Sequence, residues 1–199
     1  MNNQDLLMKP ILFNTEMVKA IFDGRKMQTR RIVKGSHEEW IMQRQAFIDN
    51  FAKYKVGDVL YIRETFGEFT HTRFDGTHTK IIYKADRDLE YRGVNPSNSG
   101  EFFHGWKPSI HMPKDYARIF LKVTDVMVEK LHDISHSDCL SEGVIQFGKE
   151  AYIDYENRGF ATLTAIDSFS TLWNVTAQKG YKWNDNPYVF VYEFKRIKL

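Results

Sequence analysis

The sequence predicts an α+β protein organised as a small mixed β-barrel with short flanking helices. Three observations carry that reading. Five or six segments are apolar or alternating over strand length, and two or three segments between them repeat apolar residues at helical spacing. No internal repeat and no Gly-rich phosphate loop of the P-loop or Rossmann kind interrupts the series. The 199 residues read as one domain over 1–199, with insertions at about 35–55 and 67–115.

Lys9 to Phe13 reads as a first strand, held to an edge or a strand start by Pro10, which has no N–H to donate. Asn14 or Thr15 caps a helix with Glu16 in its first turn; Met17, Val18, Ile21 and Phe22 share one face, and Gly24 ends it. Residues 26–33 follow as a second strand. Ser36-His37-Glu38-Glu39 is a capping box, behind which Trp40, Phe47, Ile48, Phe51 and Tyr54 predict an inserted amphipathic helix over 37–54. Gly57-Asp58 turns the chain into a strand from Val59 to Phe66, and Lys80 to Ala85 looks like another. Residues 86–105, rich in charge, Asn, Gly and Ser, read as a long excursion, after which Trp106 to Pro113 returns in extended form. Arg118 to Leu131 is the longest strand signal, and Ser135 starts a short helix ending near Gly143. Residues 165–177 form a further helix with Ile166, Phe169, Leu172 and Trp173 on its buried face. Tyr188 to Leu199 is a closing strand.

Hydrophobic content of 42% and aromatic content of 15% are ample for a packed core and exclude a disordered tail. The net charge is only +2, so a nucleic-acid role depends on where the charges sit. Lys9, Lys19, Arg25, Lys26, Arg30, Arg31 and Lys34 outweigh Asp5, Glu16 and Asp23 in the first 34 residues, and Lys195, Arg196 and Lys198 make the other end basic. A single cysteine, Cys139, excludes an internal disulfide and fits a reducing, cytoplasmic setting. No apolar run of about 18 residues is present to span a membrane.

The segment from Asp23 to Arg31 is the strongest candidate for chemistry, because it surrounds Thr29 with Arg25, Lys26, Arg30 and Arg31. Two readings stay open on these residues alone. The cluster grips phosphate, with Thr29 as one more hydrogen-bond donor. Alternatively Thr29 is a nucleophile activated by Lys26, whose pKa the neighbouring cations lower. Strand alternation puts Met27, Thr29 and Arg31 on one face and Lys26, Gln28 and Arg30 on the other, so Lys26 and Thr29 meet only if the chain bends just after Gly24.

The pattern Gly24-x-Lys26-x-x-Thr29-x-Arg31 after a short helix resembles the signature of the ASCH domain, a relative of the PUA domain. Gly57-Asp58-Val59-Leu60, Leu131 to Val144 and the strand Val189 to Phe194 are similar to other parts of that family. The chain looks like its larger phage and prophage members, with Arg63-Glu64-Thr65 and Trp106-x-Pro108-Ser109-Ile110-x-Met112-Pro113. The likeness covers most of the chain outside 35–55 and 67–115. It implies a PUA-like β-barrel whose basic cleft takes RNA or a modified nucleoside, without a cofactor or a metal. Enzymes of the family remove the acetyl group of N4-acetylcytidine with a lysine, a threonine and a glutamate. By resemblance these are Lys26, Thr29 and Glu142, with Arg31 as the arginine of the motif. The chain departs from the small enzymes in its length, its insertions and Met27. Acetylcytidine hydrolysis therefore stands beside a non-catalytic RNA-binding module, a ribonuclease of the same superfamily, and a phage accessory protein acting through protein contacts.

Arg25, Arg30, Arg31, Glu64 and Trp106 are the further candidates for holding substrate, Glu64 as a second acid or an ion-pair partner and Trp106 as a stacking platform or core residue. Cys139 reads as a small buried hydrophobe, and His132 with His136 makes a poor metal pair because the chain between them approaches a helix.

Overall fold

The computed structural model describes residues 7–35, 41–74, 76–86, 101–148 and 151–199. The class is mixed α+β, with several open sheets. Among the described residues no ladder closes into a barrel, so the expected barrel is replaced by open sheets. The chain divides into two compact units, each assembled from separate stretches: Met1–Phe22, Val59–Leu121 and Ile197–Leu199 in the first, Asp23–Asp58 and Lys122–Arg196 in the second.

In the first unit, β1 (Lys9–Leu12) pairs in parallel with β3 (Val59–Arg63) in the register Lys9 to Leu60 through Leu12 to Arg63. A parallel pair needs a long connection. Here the connection starts with α1 (Thr15–Phe22), whose N-terminus is capped by Asn14 Oδ1 accepting from the Met17 N–H at 2.8 Å. Val18 and Ile21 are buried as their spacing predicts, while Phe22 is exposed. Gly24 stops the helix in the left-handed region at φ +73°, where an L side chain is strained.

The strand expected from Val59 to Phe66 breaks at Glu64 and Thr65. Phe66 opens a new strand, β4 (Phe66–Arg73), which pairs antiparallel with β5 (Gly76–Tyr83) and β6 (Glu101–Lys107) in the order β5-β4-β6. Much of the 67–115 insertion is therefore a small sheet. Of the expected excursion, residues 101–105 belong to β6, and 87–100 lie outside the described residues. The strand expected at Lys80–Ala85 begins earlier and ends at Tyr83, where Lys84–Asp86 forms a 3-10 turn. Ser109–His111 likewise turns where the sequence reads as extended.

In the second unit, β2 (Gln28–Ile32) pairs antiparallel with β10 (Tyr188–Ile197), Gln28 opposite Glu193 and Ile32 opposite Val189. β7 (Phe120–Lys130) lies on the other side of β10. α2 (Arg44–Phe51) is shorter than the predicted helix over 37–54; the capping box and Trp40 lie outside the described residues. Phe47, Ile48 and Tyr54 are buried, whereas Phe51 is exposed. α3 (His136–Ser141) starts at Ser135, whose hydroxyl accepts from the Asp138 N–H while the Asp138 carboxylate accepts from the Ser135 N–H. β8 (Gln146–Phe147) and β9 (Ala151–Tyr152) form a two-stranded ladder. α4 (Ala165–Thr176) buries Phe169 and Trp173; Ile166, expected on the same face, is exposed. Leu131, Ile134, Cys139, Val144, Phe169, Val189 and Val191 make one continuous apolar core beneath α3 and α4.

Candidate functional site

The site is built where the residues before β2 meet the end of α3. The Met27 N–H donates to the Ser141 carbonyl at 2.7 Å, and the Phe194 N–H donates to the Met27 carbonyl at 2.9 Å. Lys26 and Glu142 form an isolated antiparallel bridge. These backbone bonds bring together two side chains separated by 116 residues of sequence. Gly143, at φ +96°, lets the chain turn away immediately after Glu142.

Lys26 Nζ lies 2.5 Å from Glu142 Oε2 and donates to the Glu142 carbonyl at 2.9 Å. The ammonium is completely buried and the carboxylate nearly so, with side-chain exposures of 0% and 5%. Burial lowers the Lys26 pKa from its ordinary value. The Glu142 charge and hydrogen bond oppose the shift, and the charges of Arg31 and Arg30 reinforce it. A lysine held this way can exchange a proton closer to neutrality than an exposed one.

Arg30 occupies the same strand face. It donates from Nη1 to Glu142 Oε1 at 3.2 Å, and from Nε and Nη2 to Glu129 Oε1 at 3.0 and 2.8 Å. Asp138 lies 3.6 Å away. Gln28, two residues back, donates to Asp138 at 3.0 Å and to Glu193 at 2.8 Å, and its amide oxygen accepts from Arg30 at 3.3 Å. The alternation read from sequence thus holds: Gln28 and Arg30 share the acidic face with Lys26. Asp138 sits below its ordinary pKa. Burial pushes it upward, but the bonds from Ser135 and Gln28 and the Arg30 charge prevail.

Thr29 is 1% exposed, and its hydroxyl accepts from Arg31 Nη1 at 2.8 Å. Arg31 also donates to the Arg30 carbonyl at 3.1 Å. Burial depresses the Arg31 pKa, against the attraction of Glu142, Tyr54 and Tyr192, though a guanidinium stays charged at any physiological pH. Tyr192 stands opposite Thr29 in the ladder, its phenol buried and pushed up to about 12, with the Lys53 N–H donating to it at 3.1 Å. Thr29 lies with Arg31 on the face opposite Lys26, as the alternation predicts, and what connects it to Lys26 and Glu142 is the charge of Arg31, which bonds its hydroxyl and acts on both.

Arg25 donates to the Gly143 carbonyl at 3.0 Å and to Asp23 at 2.8 Å, half-exposed at the end of α3. The sequence-predicted residues Lys26, Thr29, Glu142, Arg25, Arg30 and Arg31 all belong to the second unit. Glu64 and Trp106 belong to the first. Glu64 is 1% exposed and accepts both arms of the Arg118 fork, at 2.8 and 3.0 Å. Trp106 is half-buried, with its ring edge-on to Phe103 at 5.2 Å.

Glu129, Asp138, Gln28 and Glu193 were not legible as site residues. The alternation that groups Gln28 and Arg30 with Lys26 was the available signal, since buried cations on a strand face require carboxylates opposite them. Cys139 is fully buried and its thiol is pushed up to about 12 by burial, so it is inert at neutral pH. His132 bonds the Trp183 carbonyl at 2.7 Å, and the His136 ring stands edge-on to Tyr152. No helix among the described residues is long and apolar enough to cross a membrane. No protein-family model matches the chain, and no curated protein or solved structure matches it either.

Proposed function

We propose that the chain is an ASCH-type protein of the PUA-like superfamily that binds RNA or a modified nucleoside and hydrolyses an N-acyl amide such as that of N4-acetylcytidine. The observation that supports this reading best is the buried contact of Lys26 with Glu142, with Arg31, whose charge acts on both, holding the Thr29 hydroxyl three residues along the chain from Lys26. Burial alone lowers a lysine pKa, and an activated hydroxyl needs such a lysine together with the threonine.

In this mechanism substrate binding brings Thr29 and Lys26, set on opposite strand faces by the alternation, within reach of each other, and Lys26, as the free amine, takes the Thr29 hydroxyl proton as Oγ1 attacks the acyl carbonyl carbon. The carbonyl electron pair moves to oxygen, and Arg31 opposes the charge that develops there. Collapse breaks the C–N bond, and the amine leaves with the proton returned from the Lys26 ammonium. Water then attacks the threonine ester, losing a proton to Lys26, and the carboxylic acid departs as Thr29 recovers its hydrogen. Glu142 keeps Lys26 in place and favours the ammonium formed in each half.

The test is turnover of N4-acetylcytidine and related N-acylated nucleosides, followed by mass spectrometry. The intact chain is expected to release cytidine, and Thr29→Ala and Lys26→Ala are each expected to lower the rate by about 10³-fold or more, the scale of losing a nucleophile or its base. Turnover unchanged in Thr29→Ala would defeat the mechanism. An inactive wild type that binds RNA in a salt-sensitive manner would favour the non-catalytic module.

A further inference from the structure

The sequence places Arg30 among the residues that hold substrate. The structure gives it other employment. Its side chain is 1% exposed. Nε and Nη2 are both engaged by Glu129, Nη1 by Glu142 and Gln28, and its guanidinium carbon lies 5.9 Å from the Phe169 ring centroid. A guanidinium is a rigid planar fork, so these contacts fix its plane in two directions.

Glu142 is held correspondingly. Oε2 faces Lys26 and Oε1 faces Arg30, so the two cations divide one carboxylate between them. With Arg30 anchored on Glu129, the carboxyl group of Glu142 cannot rotate without losing one partner. We infer that Arg30 is a positioning residue, which locks the Glu142 carboxylate against Lys26, and that it makes no contact with substrate. The inference rests on the hydrolase reading for its kinetic consequences, but the geometry of Lys26 and Glu142 has a readout of its own. The Arg30 charge also helps keep the lysine acidic. Removing that charge favours the ammonium, although burial and the charge of Arg31 still oppose the attraction of Glu142.

The decisive variant is Arg30→Lys, which keeps the charge but has no fork to join Glu129 to Glu142; Arg30→Gln removes the charge as well. Glu129→Gln loosens the same anchor from its more exposed end and guards against a failure of the Arg30 variants to fold. Two measurements are made on each folded variant. In steady-state hydrolysis of N4-acetylcytidine, kcat is expected to fall by about 10- to 100-fold in both Arg30 variants, the scale of a small misplacement, while KM stays within about twofold. Glu129→Gln should show a smaller fall in the same direction. In ¹³C NMR of lysine labelled at Cε, with Lys26→Arg used to assign the signal, the Lys26 titration midpoint is expected to rise in Arg30→Gln, and the acid limb of the rate profile with it.

A rise in KM with kcat preserved would make Arg30 a substrate contact and overturn the inference. So would an unchanged Lys26 midpoint in Arg30→Gln. If the wild type hydrolyses no N-acyl nucleoside, the hydrolase reading fails and the NMR titration alone judges Arg30: in Arg30→Lys, which keeps the charge and loses the fork, a displaced Lys26 midpoint supports its hold on the Lys26–Glu142 pair, and an unmoved one refutes it.

Discussion

Each unit buries one glutamate against cations, and the two arrangements differ in kind. In the first unit Glu64 receives both arms of a single arginine, Arg118, whose remaining nitrogen reaches Asp86 at 2.6 Å and whose plane lies 3.8 Å from the Tyr83 ring centroid. Arg118 keeps 24% of its side chain in contact with solvent. In the second unit Glu142 is divided between two different cations, Lys26 and Arg30, with side-chain exposures of 0% and 1%. A bidentate arginine pair is a closed structural unit. A lysine sharing a carboxylate with an arginine keeps a proton that can move, because an amine can release one and a guanidinium cannot. That difference separates a brace from a candidate reaction centre.

The largest expected effect tests the comparison by removing each carboxylate. Glu142→Ala leaves Lys26 without its anion and strips Arg30 of one, both side chains being buried, so it should cost about 3–5 kcal/mol of stability. Glu64→Ala leaves Arg118 with Asp86, an aromatic face and partial solvation, so about 1–3 kcal/mol is expected. Urea denaturation of the two variants beside wild type measures both. Equal costs would break the comparison.

Titration sharpens it further, because the two groups pull stability in opposite directions. Lys26 has a lowered pKa in the folded state, so it binds fewer protons folded than unfolded; its contribution is complete above the ordinary value of 10.5 and is lost as pH falls through the lowered one. Glu64 is raised by burial, against the hydrogen bonds and charge of Arg118. Its contribution is complete below the ordinary 4.5 and is lost as pH rises through the raised value. Lys26→Met should therefore flatten the alkaline side of the stability profile and Glu64→Gln the acid side. Denaturation midpoints taken from about pH 4 to about pH 11 distinguish them, since that range spans both ordinary values. A Lys26→Met profile parallel to wild type would show that the lysine is not shifted.

What the sequence made legible follows from how far each determinant reaches. The closing strand at Tyr188–Ile197 and the long strand at Phe120–Lys130 were readable because alternation is local. The motif residues were readable as a group because they lie within nine positions of one another. The role of Arg30 was not. A cation in a strand looks like a ligand contact until its carboxylates are found, and Glu129 and Glu142 lie 99 and 112 residues away. Apart from the end of β5, the sheet of β4, β5 and β6 was missed for a related reason. Thr, His and Gly break its apolar pattern, and its order depends on β6 pairing across a long connection. Gly67 shows that dependence directly: a Cβ there would stand 2.6 Å from the Phe103 ring, a constraint set by a residue 36 positions later.

The smallest expected effect lies at the far end of the helix that delivers Glu142. Ser135 caps α3 through the Asp138 N–H, and Ser135→Ala should cost about 1 kcal/mol, the usual scale of an N-cap. Asp138 also receives Gln28 and lies near Arg30, so its carboxylate is oriented partly by Ser135, which donates from its hydroxyl at 2.7 Å. If α3 serves only as a scaffold, the loss appears in the denaturation midpoint and the pH profile of hydrolysis keeps its shape. If the cap is part of the charge network, the acid limb of that profile moves downward, because a less well fixed Asp138 opposes Arg30 less, and the Arg30 charge then acts more fully on Glu142 and Lys26 and disfavours the ammonium. Measured together, the two curves separate the mechanical role of the helix from its electrostatic one at a residue that touches neither Lys26 nor Thr29 through any hydrogen bond described above.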